Sequence, residues 1–134
     1  MTLNYLRVAM LGLLGLVAFP HVAAACACER LSPQQRLALS DGAFVGRVVG
    51  FEPLMHVDLE VRETFKGQLE RQVRIPTGVS DCDYFLPPVT ATTGRDFLIY
   101  ASIVNGTMTV NRCLGSGPLD QKRTEVQRLR QRPK

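Results

Sequence analysis

Four cysteines, Cys26, Cys28, Cys82 and Cys113, all lie beyond residue 25, and the segment before them reads as a leader for export. Together these two features constrain the size, compartment and cross-linking of whatever the chain folds into. Residues 1–25 hold no acidic residue and one basic residue, Arg7, followed by an apolar run over residues 8–19 broken only by glycines. That run is short of the ~20 residues needed to span a bilayer. Pro20 and His21 end it, and Ala23, Ala24 and Ala25 supply the small residues of a cleavage site. These are the parts of a secretory signal peptide, so the mature protein is expected to be secreted or periplasmic and to begin at Cys26. A retained membrane anchor is disfavoured, because no second apolar stretch or basic flank follows. The remaining alternative is a lipoprotein acylated at Cys26, disfavoured by Ala23 at the position where such processing sites usually carry Leu.

Removal of the leader leaves enough chain for one domain with a modest core, which covalent staples would help to hold. An even number of cysteines in an exported chain argues for two disulfides. Of three possible pairings, a Cys26–Cys28 bridge closes a very small strained ring. The other two both tie the N-terminal segment to distant parts of the chain, and each long bridge is expected to add about 4 kcal/mol by restricting the unfolded state.

The net charge of +4 is unevenly placed. From Asp120 to the C-terminus there are six basic residues (Lys122, Arg123, Arg128, Arg130, Arg132, Lys134) against two acidic ones, Asp120 and Glu125. Residues 26–119 hold nine basic and ten acidic residues. A nearly neutral body argues against nucleic acid as a partner, since such binding rests largely on phosphate neutralisation. The basic segment, residues 118–134, reads as a solvated, partly frayed helix or tail able to contact anionic envelope surfaces.

Local signals organise the rest. Ser32 and Pro33 suit the N-cap and first position of a short helix of about three turns or fewer, ended by Asp41 and Gly42. Residues 44–51 are rich in β-branched and aromatic residues, with Gly46 and Gly50 marking a bend or bulge. Residues 55–65 alternate, with Val57, Leu59 and Val61 on one face and His56, Asp58, Glu60 and Arg62 on the other, the period of a half-buried strand. Residues 72–75 form a third strand, residues 77–94 an irregular loop carrying Cys82, and residues 96–101 an apolar fourth strand. Asn105 and Gly106 favour a tight hairpin over glycosylation at the Asn105 sequon, so residues 107–112 are expected to pair back as a fifth strand. Five short strands with flanking helices predict an all-β domain of residues 26–117, a five-stranded OB-fold barrel. An immunoglobulin-like sandwich fits less well, lacking two strands and the tryptophan between cysteines.

No enzymatic constellation emerges, so no catalytic residue and no cofactor is expected. His56 sits alone on a polar strand face and reads as a solvated residue. Asp81 and Asp83 flank Cys82 without a third oxygen-rich position, which favours turn chemistry over calcium. Cys26 and Cys28 are spaced more closely than zinc ligands usually are, so no intrinsic metal is expected. The position of Cys26 matters more. Cleavage after Ala25 would leave a disulfide-bonded first residue whose α-amine, titrating near 7.7–8.0, sits beside its own carbonyl. Amine and carbonyl of one residue form a five-membered chelate suited to the open position of a catalytic zinc in another protein.

An N-terminal Cys-x-Cys, a short helix, Phe44-Val45-Gly46, Phe65-Lys66-Gly67, a loop cysteine, the strand Phe97-Leu98-Ile99-Tyr100-Ala101 and a final cysteine occur in that order. This set, spanning nearly all of residues 26–114, resembles a bacterial TIMP-like (tissue inhibitor of metalloproteinases) domain of the netrin-like class. The resemblance implies an OB barrel, bridges Cys26–Cys82 and Cys28–Cys113, and a zinc metalloprotease as partner. It also implies protease-zinc chelation by Cys26, with Ala27 contacting the protease pocket. Ala27 is smaller than the residue good inhibitors present there and adds little apolar area. A non-inhibitory cell-envelope OB-fold binding module, lipidated or not, is the alternative.

Overall fold

The computed structural model describes residues 26–133; the leader reading falls on residues 1–25, outside them. In chain order the elements are α1 (Pro33–Leu39), β1 (Gly42–Glu52), β2 (His56–Lys66), β3 (Gln72–Pro76), β4 (Asp96–Val104), β5 (Thr107–Thr109), a 3₁₀ turn (Arg112–Leu114), β6 (Gly117–Pro118) and α2 (Leu119–Arg130). The strands form one antiparallel sheet in the order β3-β2-β1-β4-β5, with β6 added beside β4.

The sheet is curled into a half-barrel, and its central strand shows how. Along β1 the register with β2 slips at Ala43/Phe44, Val45/Gly46 and Val48/Gly50. Each slip bends the strand and raises its twist. A Cβ on Gly46 would lie 3.0 Å from the Phe44 ring and 3.2 Å from Leu59 Cβ, so the bend is packed closely around the glycine. The outer strands β3 and β5 are thereby brought towards each other, with no hydrogen-bonded ladder between them. The mostly-β architecture with flanking helices is thus present, as an open curled sheet and not as a barrel closed by strand pairing.

Two apolar clusters lie on opposite faces of this sheet. The concave face packs Phe44, Val48, Val57, Leu59, Ile75, Phe85, Phe97, Ile99 and Val110. The convex face packs Ala43, Val45, Leu98 and Tyr100 against Leu37 of α1 and Val126 and Leu129 of α2. Successive residues of a strand point to opposite faces, so β4, covered on both sides, reads as an unbroken apolar run. β2 has a solvated face and alternates instead: Val57 and Leu59 are fully buried, while Asp58 pairs with Arg74 and Glu60 with Arg62.

Three segments differ from their sequence reading. First, α1 has only seven residues, a little under two turns. Its capping box joins Ser32 and Gln35 reciprocally, and it stops at Ser40, whose hydroxyl donates to the Leu37 carbonyl at 3.0 Å. Gly42 already belongs to β1, and Asp41 accepts from the Ile103 amide at 2.7 Å. Lys66 donates to the carbonyls of Leu37 and Ala38 at 2.8 and 3.3 Å, satisfying the free end of the helix.

Second, β5 ends at Thr109, although its hairpin is as expected: Asn105 and Gly106 both adopt positive φ, 51° and 76°, between paired Val104 and Thr107. Beyond Thr109 the backbone leaves β4. Val110 accepts from the Tyr84 amide and Arg112 donates to the Cys82 carbonyl, both at 2.8 Å.

Third, residues 119–130 are not a solvated, frayed appendage. Val126 is 2% and Leu129 6% exposed, and α2 closes the convex core. Several of its charges are also held: Glu125 pairs with Arg36 and Lys122, and Arg130 pairs with Glu63. Among the described residues no helix is long and apolar enough to cross a membrane.

Candidate functional site

The four cysteines meet where the loop of residues 77–94 runs beside the segment following β5. Asp83 shapes that loop: its buried carboxylate accepts from the amides of Val79 (2.8 Å) and Ser80 (3.2 Å). The Ser80 hydroxyl in turn accepts from the Cys82 amide at 3.1 Å. Asp83 then forms an antiparallel bridge with Asn111, and its carbonyl accepts from the Arg112 guanidinium at 3.3 Å. On the facing segment the Asn111 side chain accepts from the Cys113 amide at 2.8 Å, starting the 3₁₀ turn, and Gly115 ends it with φ 79°. Loop and turn are in this way stitched into one platform, with Cys82 on one side and Cys113 on the other.

The N-terminal segment lies on this platform. Cys26 is bonded to Cys82 and Cys28 to Cys113, with Cα separations of 5.4 and 4.9 Å. Residues 26–30 form no regular element, so the bridges are what hold them. Ala27 is exposed between two tethered neighbours. The two bridges touch: the Cys26 and Cys113 sulfurs are 3.5 Å apart, and the Cys113 sulfur is 3.7 Å from the Ala27 carbonyl oxygen. The sulfurs of Cys26, Cys28 and Cys113 all lie within 4.8 Å of one another. Their closeness is that of two adjacent disulfides. A metal would need thiolates, and these sulfurs are already spent in S–S bonds.

The other sequence candidates have separate places. Asp81 is exposed whereas Asp83 is buried and hydrogen-bonded to backbone, so the two carboxylates do not act as a pair. His56 lies on the outer face of β2 with Nε2 3.6 Å from Asp58. Asp58 is gripped by Arg74 through two bonds of 2.7 and 2.9 Å, which hold its carboxyl below the ordinary carboxylate value.

A polar network that sequence reasoning missed braces the convex side. Glu125 of α2 receives hydrogen bonds from Tyr100 (2.7 Å), Arg36 (3.1 Å) and Lys122 (3.2 Å). Its side chain is only 11% exposed. Burial raises its pKa, but the bonds from Tyr100, Lys122 and Arg36, with the Lys122 charge, outweigh burial and keep the carboxyl below its ordinary value. Arg36 lies across Gly115, where a Cβ would come within 2.6 Å of its Nε. The turn carrying Cys113 is thereby fitted to α1. The available signal was Glu125 itself, an acid set between Lys122, Arg123 and Arg128 in a basic helix.

The chain matches no family model and no curated protein. Fold and site together define a small disulfide-stapled β half-barrel whose first described residues are tethered at two points.

Proposed function

We propose that the protein is an exported, TIMP-like inhibitor of a zinc metalloprotease, with its half-barrel an OB-type, netrin-like domain. The observation that carries this reading is the double tether: Cys26 and Cys28 are each bonded to the platform, with exposed Ala27 between them. Once the leader is cut after Ala25, the Cys26 amine and carbonyl become a chelating pair on a backbone already ordered before binding. Preorganisation of this kind lowers the entropic cost of association. The pair fills the open coordination position of the protease zinc, where a water would otherwise be activated, and Ala27 faces the pocket beyond it. The Cys26–Cys82 bridge also supports a free amine over lipidation, because thioether acylation needs the Cys26 sulfur that the bridge occupies.

The test is protein secreted with its leader, checked by intact mass for a start at Cys26, and assayed against zinc metalloproteases. One alanine added before Cys26 turns its amine into a peptide nitrogen and moves the chelating pair onto an untethered residue. It is expected to cost at least a hundredfold in inhibition, with an unchanged circular dichroism spectrum. Equal inhibition by both forms would overturn the chelation mechanism.

The second reading, a non-inhibitory envelope binding module, is favoured by the open seam between β3 and β5. A groove of about 490 Å³ runs there, bordered by Leu69, Val73, Ile103 and Met108 with Gln72 and Arg74. A mature protein that starts at Cys26 and inhibits no zinc protease would favour this alternative.

A further inference from the structure

We propose that the two adjacent bridges form a thiol–disulfide exchange site, at which an incoming thiol converts the protein between its two long-range pairings. The geometry carrying this is the 3.5 Å contact between the sulfurs of Cys26 and Cys113, which belong to different bridges. Disulfides exchange by attack of a thiolate on a bonded sulfur, at rates set partly by access and by which sulfur is attacked. Cys28 is the exposed member of the cluster, whereas Cys26, Cys82 and Cys113 are partly covered. An external thiolate therefore attacks Cys28, forming a mixed disulfide and releasing Cys113 as a thiolate. That thiolate already touches the Cys26 sulfur. Its attack forms Cys26–Cys113 and expels Cys82 as a thiolate. Cys82 then attacks the mixed disulfide at Cys28, forming Cys28–Cys82 and releasing the original thiol. At every step one S–S bond forms as another breaks, so no net oxidant or reductant is consumed. The substrate class is an accessible thiol, of a small molecule or of a protein.

The exchange matters because Cys26 is held to the loop of residues 77–94 in one form and to the 3₁₀ turn in the other. The N-terminal segment thus has two tethered states on one platform. This inference does not rest on the protease reading, since inhibition is not its readout.

The test is the full oxidised chain kept folded, incubated without oxygen at mildly alkaline pH with substoichiometric glutathione, acid-quenched, alkylated and mapped as non-reduced peptides. Expected are glutathione on Cys28 and a Cys26–Cys113 linked peptide, followed by Cys28–Cys82, with the near-ultraviolet circular dichroism of the fold retained. Three results would overturn the proposal: no glutathione uptake; glutathione on Cys28 with Cys113 free and Cys26–Cys82 intact; or appearance of Cys26–Cys28 as part of a random mixture, which signals unfolding. A second measurement needs no added thiol. In Cys28→Ser, the Cys113 thiol lies beside the Cys26–Cys82 bridge, and the folded variant is expected to contain both Cys26–Cys82 and Cys26–Cys113 isomers. Cys26–Cys82 alone would contradict the relay.

Discussion

The Tyr100 hydroxyl donates to Glu125 Oε1 over 2.7 Å, joining the middle of β4 to α2 across the convex core. Tyr100 is fully buried, and burial together with this bond pushes its phenol above the ordinary value, keeping it a donor. Removing only the hydroxyl, in Tyr100→Phe, leaves Glu125 bonded to Arg36 and Lys122. The expected loss is about 1–2 kcal/mol, read as a lower urea midpoint with an unchanged slope.

The same carboxylate makes stability depend on acid. The Glu125 pKa is lower in the folded state than its ordinary 4.5. Its contribution is therefore full above about pH 4.5 and lost as pH falls through the depressed folded value. Glu125→Gln is expected to lower stability at neutral pH by about 1–3 kcal/mol, because Arg36 and Lys122 lose a partly buried counter-charge. The gap between wild type and variant should narrow on acidification below pH 4.5. Urea unfolding of both proteins from pH 7 to pH 3 measures it, and a constant gap would contradict the assignment.

Glycines 115 and 106 share a left-handed backbone but not an environment. Both have positive φ, 79° and 76°, yet a Cβ at Gly106 meets nothing within 4 Å while one at Gly115 meets Arg36. Gly106→Ala is expected to cost about 1 kcal/mol from backbone conformation alone. Gly115→Ala adds displacement of Arg36 from Glu125 and is expected to cost about 2–3 kcal/mol. In an Arg36→Ala background that excess should shrink, a coupling visible by a double-mutant cycle.

Residues 119–130 are structural. Leu129→Ala is expected to destabilise by about 2–3 kcal/mol. A chain ended after Pro118 uncovers Val45, Leu98 and Tyr100. It is expected to lose its cooperative thermal transition, which scanning calorimetry would detect.

On the proposed function, Ala27→Leu should tighten inhibition of a zinc protease with an apolar pocket about tenfold, through added buried area. The exposed position predicts unchanged stability. Inhibition constants and melting temperatures of the two forms provide the check, and weaker inhibition at every such protease would count against Ala27 as the pocket residue.

Local chemistry made much of this protein readable in advance. Ser32 caps α1 ahead of Pro33, Asn105 and Gly106 build a hairpin turn, and the alternation of β2 separates its buried and charged faces, all within a few residues of sequence. An even count of four cysteines likewise led to two bridges, and the strained ring of a Cys26–Cys28 pair set aside one of the three pairings. The residues alone left the choice between the two long-range pairings open. The structure holds Cys26–Cys82 and Cys28–Cys113. Both acceptor cysteines reach one platform because the Cys82 loop pairs with the segment after β5, which also cuts that strand short. It also made a core element of the basic C-terminal segment, through Val126, Leu129 and the Arg36–Glu125 bond spanning 89 residues. The division has one physical cause. Caps, turns and alternation are determined by neighbours in the chain, whereas disulfide partners, buried ion pairs and helix docking depend on surfaces that meet only after the sheet has curled.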